Sequence, residues 1–171
     1  SDFLEILLSC DFDNVNEIIN RGKIFNIDLE QPTAVMIIND NSFNEIDEIR
    51  NYMDINGTRT KESLLKEINN FSKSEGRSNF IAGIKGNNIV VVSGVKGGNS
   101  STSLKNEVKD LLNYLQQTSA NNYHLKIGVG KSYSEIRKIN RSYEEAREAL
   151  KIAQLSDRTH VVFFDNLGFY N

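Results

Sequence analysis

The chain has 171 residues, 39% of them hydrophobic and 25% charged, with a net charge of −3 and one cysteine. That length suits a single domain with a real core, and an acidic chain without a basic stripe argues against direct nucleic-acid binding. Cys10 can form no internal disulfide, no Cys/His cluster has zinc spacing, and no apolar run approaches the ~18 residues of a membrane helix. A reducing cytoplasm is therefore expected, without membrane contact, structural metal or cofactor.

The first segment, DFLEILLSC, spaces Phe3, Leu4, Leu7 and Leu8 as one helical face. A second helix, with Val15, Ile18 and Ile19 apolar, follows Asp11 or Asp13 as its expected cap. Residues 1–30 thus form a helical lead-in, either core helices or a docking element. After Pro32, PTAVMIIND reads as a buried strand closed by Asn39 and Asp40. A short helix is expected over 42–53. A longer one carries Leu64, Leu65, Ile68 and Phe71 on one face and ends at Gly76. Strands at 79–85 and 88–94 then flank a turn around Gly86, Asn87 and Asn88, residue types that accept the positive φ of hairpin turns.

Beyond a loop at 97–103, Leu104, Val108, Leu111, Leu112 and Leu115 form a helical stripe. HLKIGVG reads as a fourth strand. A long helix follows, with Ile136, Ile139, Tyr143, Ala146, Leu150 and Ala153 facing the core and Ser134 or Ser142 capping its segments. THVVFFD is a fifth strand, with Asp165 as the expected cap of a last helix. A central hairpin with helices on either side breaks the strict strand–helix alternation of a parallel doubly wound sheet. The expected fold class is α/β (α+β), a ferredoxin-like antiparallel sheet with flanking helices over residues 31–165.

KIGVGKS contains Gly128, Gly130, Lys131 and Ser132, which imitate a phosphate loop. The Walker pattern G-x-x-x-x-G-K-[ST] needs a glycine where Leu125 stands. It also needs a loop of backbone N–H groups rather than a strand. The better reading is that the two glycines let a helix approach the strand or let the chain turn. His124 and His160 each open a strand, and no G-x-S-x-G elbow exists, so nucleophilic catalysis is not expected. Cys10 reads as a small buried hydrophobe. The central strands carry branched aliphatics with Phe80 as the one aromatic, which disfavours RNA stacking. The cluster Asn39-Asp40-Asn41-Ser42 offers one carboxylate, too few for two metal ions, and reads as a strand-to-helix turn.

Three stretches carry a resemblance. They are Ile127-Gly128-Val129-Gly130, the run Ser142 to Leu150 (SYEEAREAL), and Phe164-Asp165-Asn166-Leu167-Gly168. A weaker one is Phe3…Leu7-Leu8 followed by Arg21 and, after five intervening residues, Ile27-Asp28-Leu29 before Pro32. The chain resembles the GGDEF-like domain of CdaR/PucR-type transcriptional regulators, the sugar-diacid and purine-catabolism regulator family. The resemblance implies the nucleotidyl-cyclase-like fold of diguanylate cyclases. It also implies a place between a sensory part and a C-terminal helix-turn-helix, with residues 166–171 opening the linker. DNA would then be met only through that helix-turn-helix, and the partners of this chain would be other domains of the same protein or a second copy. The helices at 3–20 and the hairpin edge are the expected contact surfaces.

Catalysis does not carry over with the resemblance. A cyclase has D-x-D-x-F after its first strand. Aligned on Phe43, the two acidic places hold Asn39 and Asn41. The Gly-Gly-Asp-Glu-Phe hairpin is replaced by Gly86-Asn87-Asn88-Ile89-Val90, and the upstream R-x-x-D site by Arg77-Ser78-Asn79-Phe80. The expected function is non-catalytic signal relay or dimerisation in a bacterial transcription regulator. The alternative is a small-molecule sensor that uses a remnant cleft lined by Asn39, Asp40, Asn41, Gly86, Asn87 and Asn88.

Overall fold

A computed structural model describes residues 2–40, 60–74, 79–96, 100–118 and 125–167. The helix expected at 42–53, the stop at Gly76, and residues Asn41, Ser42, Phe43 and His124 lie outside the described residues. Helices α1 (Asp2–Ser9) and α2 (Val15–Ile24) lead into strand β1 (Thr33–Asp40). Helix α3 (Lys61–Lys73) and the hairpin β2 (Phe80–Lys85) and β3 (Asn88–Gly94) follow. Helix α4 (Ser100–Gln117), strand β4 (Leu125–Val129), helix α5 (Ile139–Gln154) and strand β5 (Val161–Phe163) complete the order.

The strands form one sheet in the order β2-β3-β1-β4-β5. Neighbours are antiparallel except β4 and β5, which run parallel through α5. The purely antiparallel expectation is corrected at that edge. A 16-residue helix between two strands returns the chain to the same end of the sheet, as a parallel pair requires.

Every residue of β1 and β4 is buried. Their apolar runs are nearly continuous because helices cover both faces. On one face Ala34, Met36 and Ile38 meet Leu64, Ile68 and Phe71 of α3 and Leu104, Val108 and Leu111 of α4. Phe80, the aromatic weighed for RNA stacking, is buried there beside Phe71, with ring centroids 6.5 Å apart. On the other face Val35, Ile37, Val90 and Val92 meet α5 and the lead-in residues Phe3, Leu4, Leu7 and Leu8. The apolar face of α1 is therefore part of the domain's own core.

Local caps follow side-chain reach. Asn14, one residue past the expected Asp13, caps α2 by accepting from the Glu17 N–H at 3.2 Å. A reciprocal pair between Thr60 and Ser63 starts α3, with bonds of 2.9 and 3.0 Å. Asp165 lies inside a short 3-10 turn, Phe164–Asn166, and the last helix it was expected to cap falls outside the described residues. Ser142 is no cap either, since α5 starts three residues earlier and buries it completely.

Candidate functional site

The phosphate-loop look-alike is a strand end followed by a β-bulge. Met36 pairs with Val129, and Thr33 pairs with Tyr133. Three steps along β1 therefore face four steps from Val129 to Tyr133, leaving one extra residue in the Gly130–Ser132 segment. A bulge leaves ladder groups unpaired, and α5 supplies the missing partners. The Ser142 hydroxyl accepts from the Val35 N–H at 2.9 Å and donates to the Lys131 carbonyl at 2.7 Å. One Glu145 carboxylate oxygen accepts from the Lys131 N–H at 3.1 Å, and the other accepts from the Tyr133 hydroxyl at 2.7 Å. Glu145 is buried at the protein end of this contact, with Arg141 at 4.0 Å. In a phosphate loop such an N–H would face a ligand oxyanion. Here the protein's own carboxylate occupies that role.

The glycines explain how α5 comes close enough. A Cβ on Gly128 would run into the Ala146 carbonyl and the Leu150 backbone, with Leu150 Cα at 2.7 Å. A Cβ on Gly130 would collide with the Ser142 carbonyl. The obstacles are helix backbone, so no side-chain rotation relieves them. Ala146, Ala149 and Ala153 are fully buried small residues on α5. Desolvation pushes the Tyr133 phenol up to about 12, reinforced by its hydrogen bond to Glu145 and by that carboxylate's charge.

At the other end of β1 stand the residues expected to form a remnant cleft. Asn39 and Asp40 continue the strand rather than forming a turn, and both are buried. Asn39 donates its amide to the Asn87 carbonyl at 3.2 Å and to Asn88 Oδ1 at 2.8 Å. It thus ties β1 to the hairpin turn, where Gly86 adopts φ +61°. Asn39 Oδ1 has no hydrogen-bond partner among the described residues. Strand alternation puts Asp40 on the opposite face, with Ala34, Met36 and Ile38. Asn39, Asn87 and Asn88 therefore come together and Asp40 does not join them. Across the sheet from Asn39, Lys126 is buried, and its ammonium donates to the Ser156 and Thr159 carbonyls at 2.5 and 2.6 Å.

Of the three groups considered for nucleophilic chemistry, the two that are described have structural partners. Cys10 ends α1 at φ 54°, half-buried, its thiol directed to the Leu7 and Ile136 carbonyls at 3.4 and 3.7 Å. His160 Nδ1 lies 2.8 Å from the Leu125 carbonyl. Among the described residues, no three His, Cys, Asp or Glu side chains gather closely enough to hold a metal ion. No helix among them is long and apolar enough to cross a membrane.

A family model described as "GGDEF-like domain" matches residues 11–152. The chain belongs to the GGDEF-like domain family. No curated protein matches this GGDEF-like domain. Among solved structures it is similar to an EAL/GGDEF domain protein from M. capsulatus, at 13% identity and a TM-score of 0.52. That likeness covers 89% of this chain and 99% of the other and shows the fold. The nucleotidyl-cyclase-like architecture expected from the sequence is thereby established.

Among the described residues at the end of β1, Asp40 is the one carboxylate, too few for the two metal ions of a cyclase. Magnesium binds through carboxylates and water. Asn39 instead turns its amide hydrogens toward the hairpin. Ser142 and Glu145 were the residues that sequence reasoning undervalued. Their signal was two polar residues, three apart, on the same helical face as Ile139, Ala146 and Ala149.

Proposed function

We propose that this GGDEF-like domain is a non-catalytic relay and dimerisation module within a bacterial transcription regulator of the CdaR/PucR type. It would act in the cytoplasm and meet DNA only through a separate helix-turn-helix. The observation that supports this reading is the Asn39 amide, which fastens the strand end to the hairpin turn where cyclase chemistry would need carboxylates. Relay requires a rigid body that transmits a displacement. The bulge clamp between β1, β4 and α5 supplies such rigidity, because discrete packed junctions shift as units. Incubation with GTP and Mg²⁺ tests the reading: no cyclic nucleotide product is expected, and its formation would refute it.

A second reading is favoured by one atom. Asn39 Oδ1, buried and without a partner among the described residues, is an acceptor that a ligand N–H or O–H would satisfy. As a small-molecule sensor, the domain would rise in melting temperature with a ligand that donates to this oxygen. A thermal-shift screen of nucleotides, purine catabolites and sugar acids without a hit counts against it.

A further inference from the structure

We propose that the domain carries a second, separate site, at the far end of β1 from Asn39, which binds the phosphoryl group of a small hydroxylated phosphomonoester. The site is a surface cavity of about 160 Å³ between the bulge, the start of α4 and the turn after β5. Ser101, Lys105, Lys131, Ser132, Phe163 and Asp165 line it. Its size suits one phosphoryl head group rather than a whole nucleotide.

Two lysines from different elements line it. Lys131 Nζ lies 5.6 Å from the centre of the Phe164 ring, and Lys105 Nζ lies 5.8 Å from that of Phe163. Lys105 also approaches Asn166 Oδ1 at 3.4 Å. Ring and amide contacts hold an ammonium in place without neutralising it. Among the described residues, neither lysine forms an ion pair. Both are half-buried, so a bound anion would be partly shielded from solvent and the attraction strengthened.

The bulge makes the site preorganised. The N–H of Lys131 is held by Glu145 and its carbonyl by Ser142, so its side chain leaves from a fixed point. Ser101 belongs to the first turn of an 18-residue helix that has no acidic residue in that turn, and the helix dipole adds positive potential there. The imitation of a phosphate loop thus ends differently from the original. The backbone N–H of Lys131 is taken by the protein, whereas the residue lines a cavity and its ammonium rests near the Phe164 ring.

Asp165 decides the carrier. A carboxylate in the lining opposes a bare anion but accepts a hydroxyl hydrogen, which favours a phosphoryl group attached to a hydroxylated carbon chain. The two arms of the test separate these sources. Inorganic phosphate and glycerol phosphate are titrated into the full chain at constant ionic strength, with backbone amide shifts as the readout. Saturable shifts at Ser101, Lys131 and Ser132 are expected with both, tighter for glycerol phosphate. Lys105→Ala and Lys131→Ala should each weaken binding by about tenfold, with Lys131→Gln repeating the loss in a side chain of similar length. Lys109→Ala, exposed on α4 outside the cavity, should leave it unchanged. Asp165→Asn should tighten inorganic phosphate and weaken glycerol phosphate. Absence of saturation with both compounds, or equal weakening by Lys109→Ala, would overturn the site. Tightening of both compounds by Asp165→Asn would overturn the assignment of the carrier.

Discussion

The two ends of β1 solve the same problem in different ways. At its start, a bulge leaves backbone groups without ladder partners, and Ser142 and Glu145 of α5 take up three of them. At its end, Asn39 reaches the hairpin with both amide hydrogens but leaves its own oxygen without a partner among the described residues. Backbone fixed by buried side chains is costly to disturb. A junction of neutral amides holds shape and offers little electrostatic grip on a metal or a triphosphate.

Substitutions at the two ends sharpen that contrast. Gly128→Ala should be among the most damaging. Its methyl meets the Ala146 and Leu150 backbone, and a loss of about 3 kcal/mol is expected from overpacking against helix backbone. Urea unfolding measures it, and a near-neutral result would show that α5 can slide. Asn39→Asp tests the other end. It replaces the donating amide by a carboxylate facing the Asn87 carbonyl and Asn88 Oδ1, so about 1–3 kcal/mol should be lost. An unchanged or raised stability would mean that this end readily accepts charge, which would count against the non-catalytic proposal.

Tyr133 gives a pH signature for the bulge. Its phenol is raised from 10.0 to about 12 by burial and by Glu145. A raised folded-state value means that the stabilisation is complete below pH 10.0 and lost as pH climbs from there through about 12. The ultraviolet phenolate difference between wild type and Tyr133→Phe should therefore show a late titration. Glu145→Gln should move it earlier while leaving the part due to burial. The smallest effect is expected at Lys85, which pairs with Glu5 at 2.9 Å and joins the hairpin to α1 on the surface. The Glu5 hydrogen bond raises its amine above 10.5, more than burial lowers it. Because both partners are partly exposed, Lys85→Ala should cost at most about 1 kcal/mol, and less in high salt.

Much of this arrangement was legible from residue order. The hairpin bounds, the stripe Leu104 to Leu115 and the strand before Gly130 follow from periodicity and turn chemistry. The glycines of KIGVGKS were correctly separated from a phosphate loop by Leu125. Other features depend on the third dimension. Ser142 looked like a cap because serine favours helix starts, yet the bulge across the sheet needed its hydroxyl more. Asp13 lost α2 to Asn14 by a single residue of reach. The parallel pairing of β5 is set by the return path of α5 rather than by any residue in β5. At the candidate cleft, sequence placed Asn39 beside Asn87 and Asn88, and only alternation in the folded strand separated Asp40 from them.

Gly130→Ala addresses the seam most directly, because its methyl would collide with the Ser142 carbonyl and with the hydroxyl that satisfies Val35 and Lys131. If the Gly-Val-Gly stretch exists to seat α5 against β4, the unfolding free energy in urea should fall by about 3 kcal/mol. A variant as stable as the wild type would contradict it.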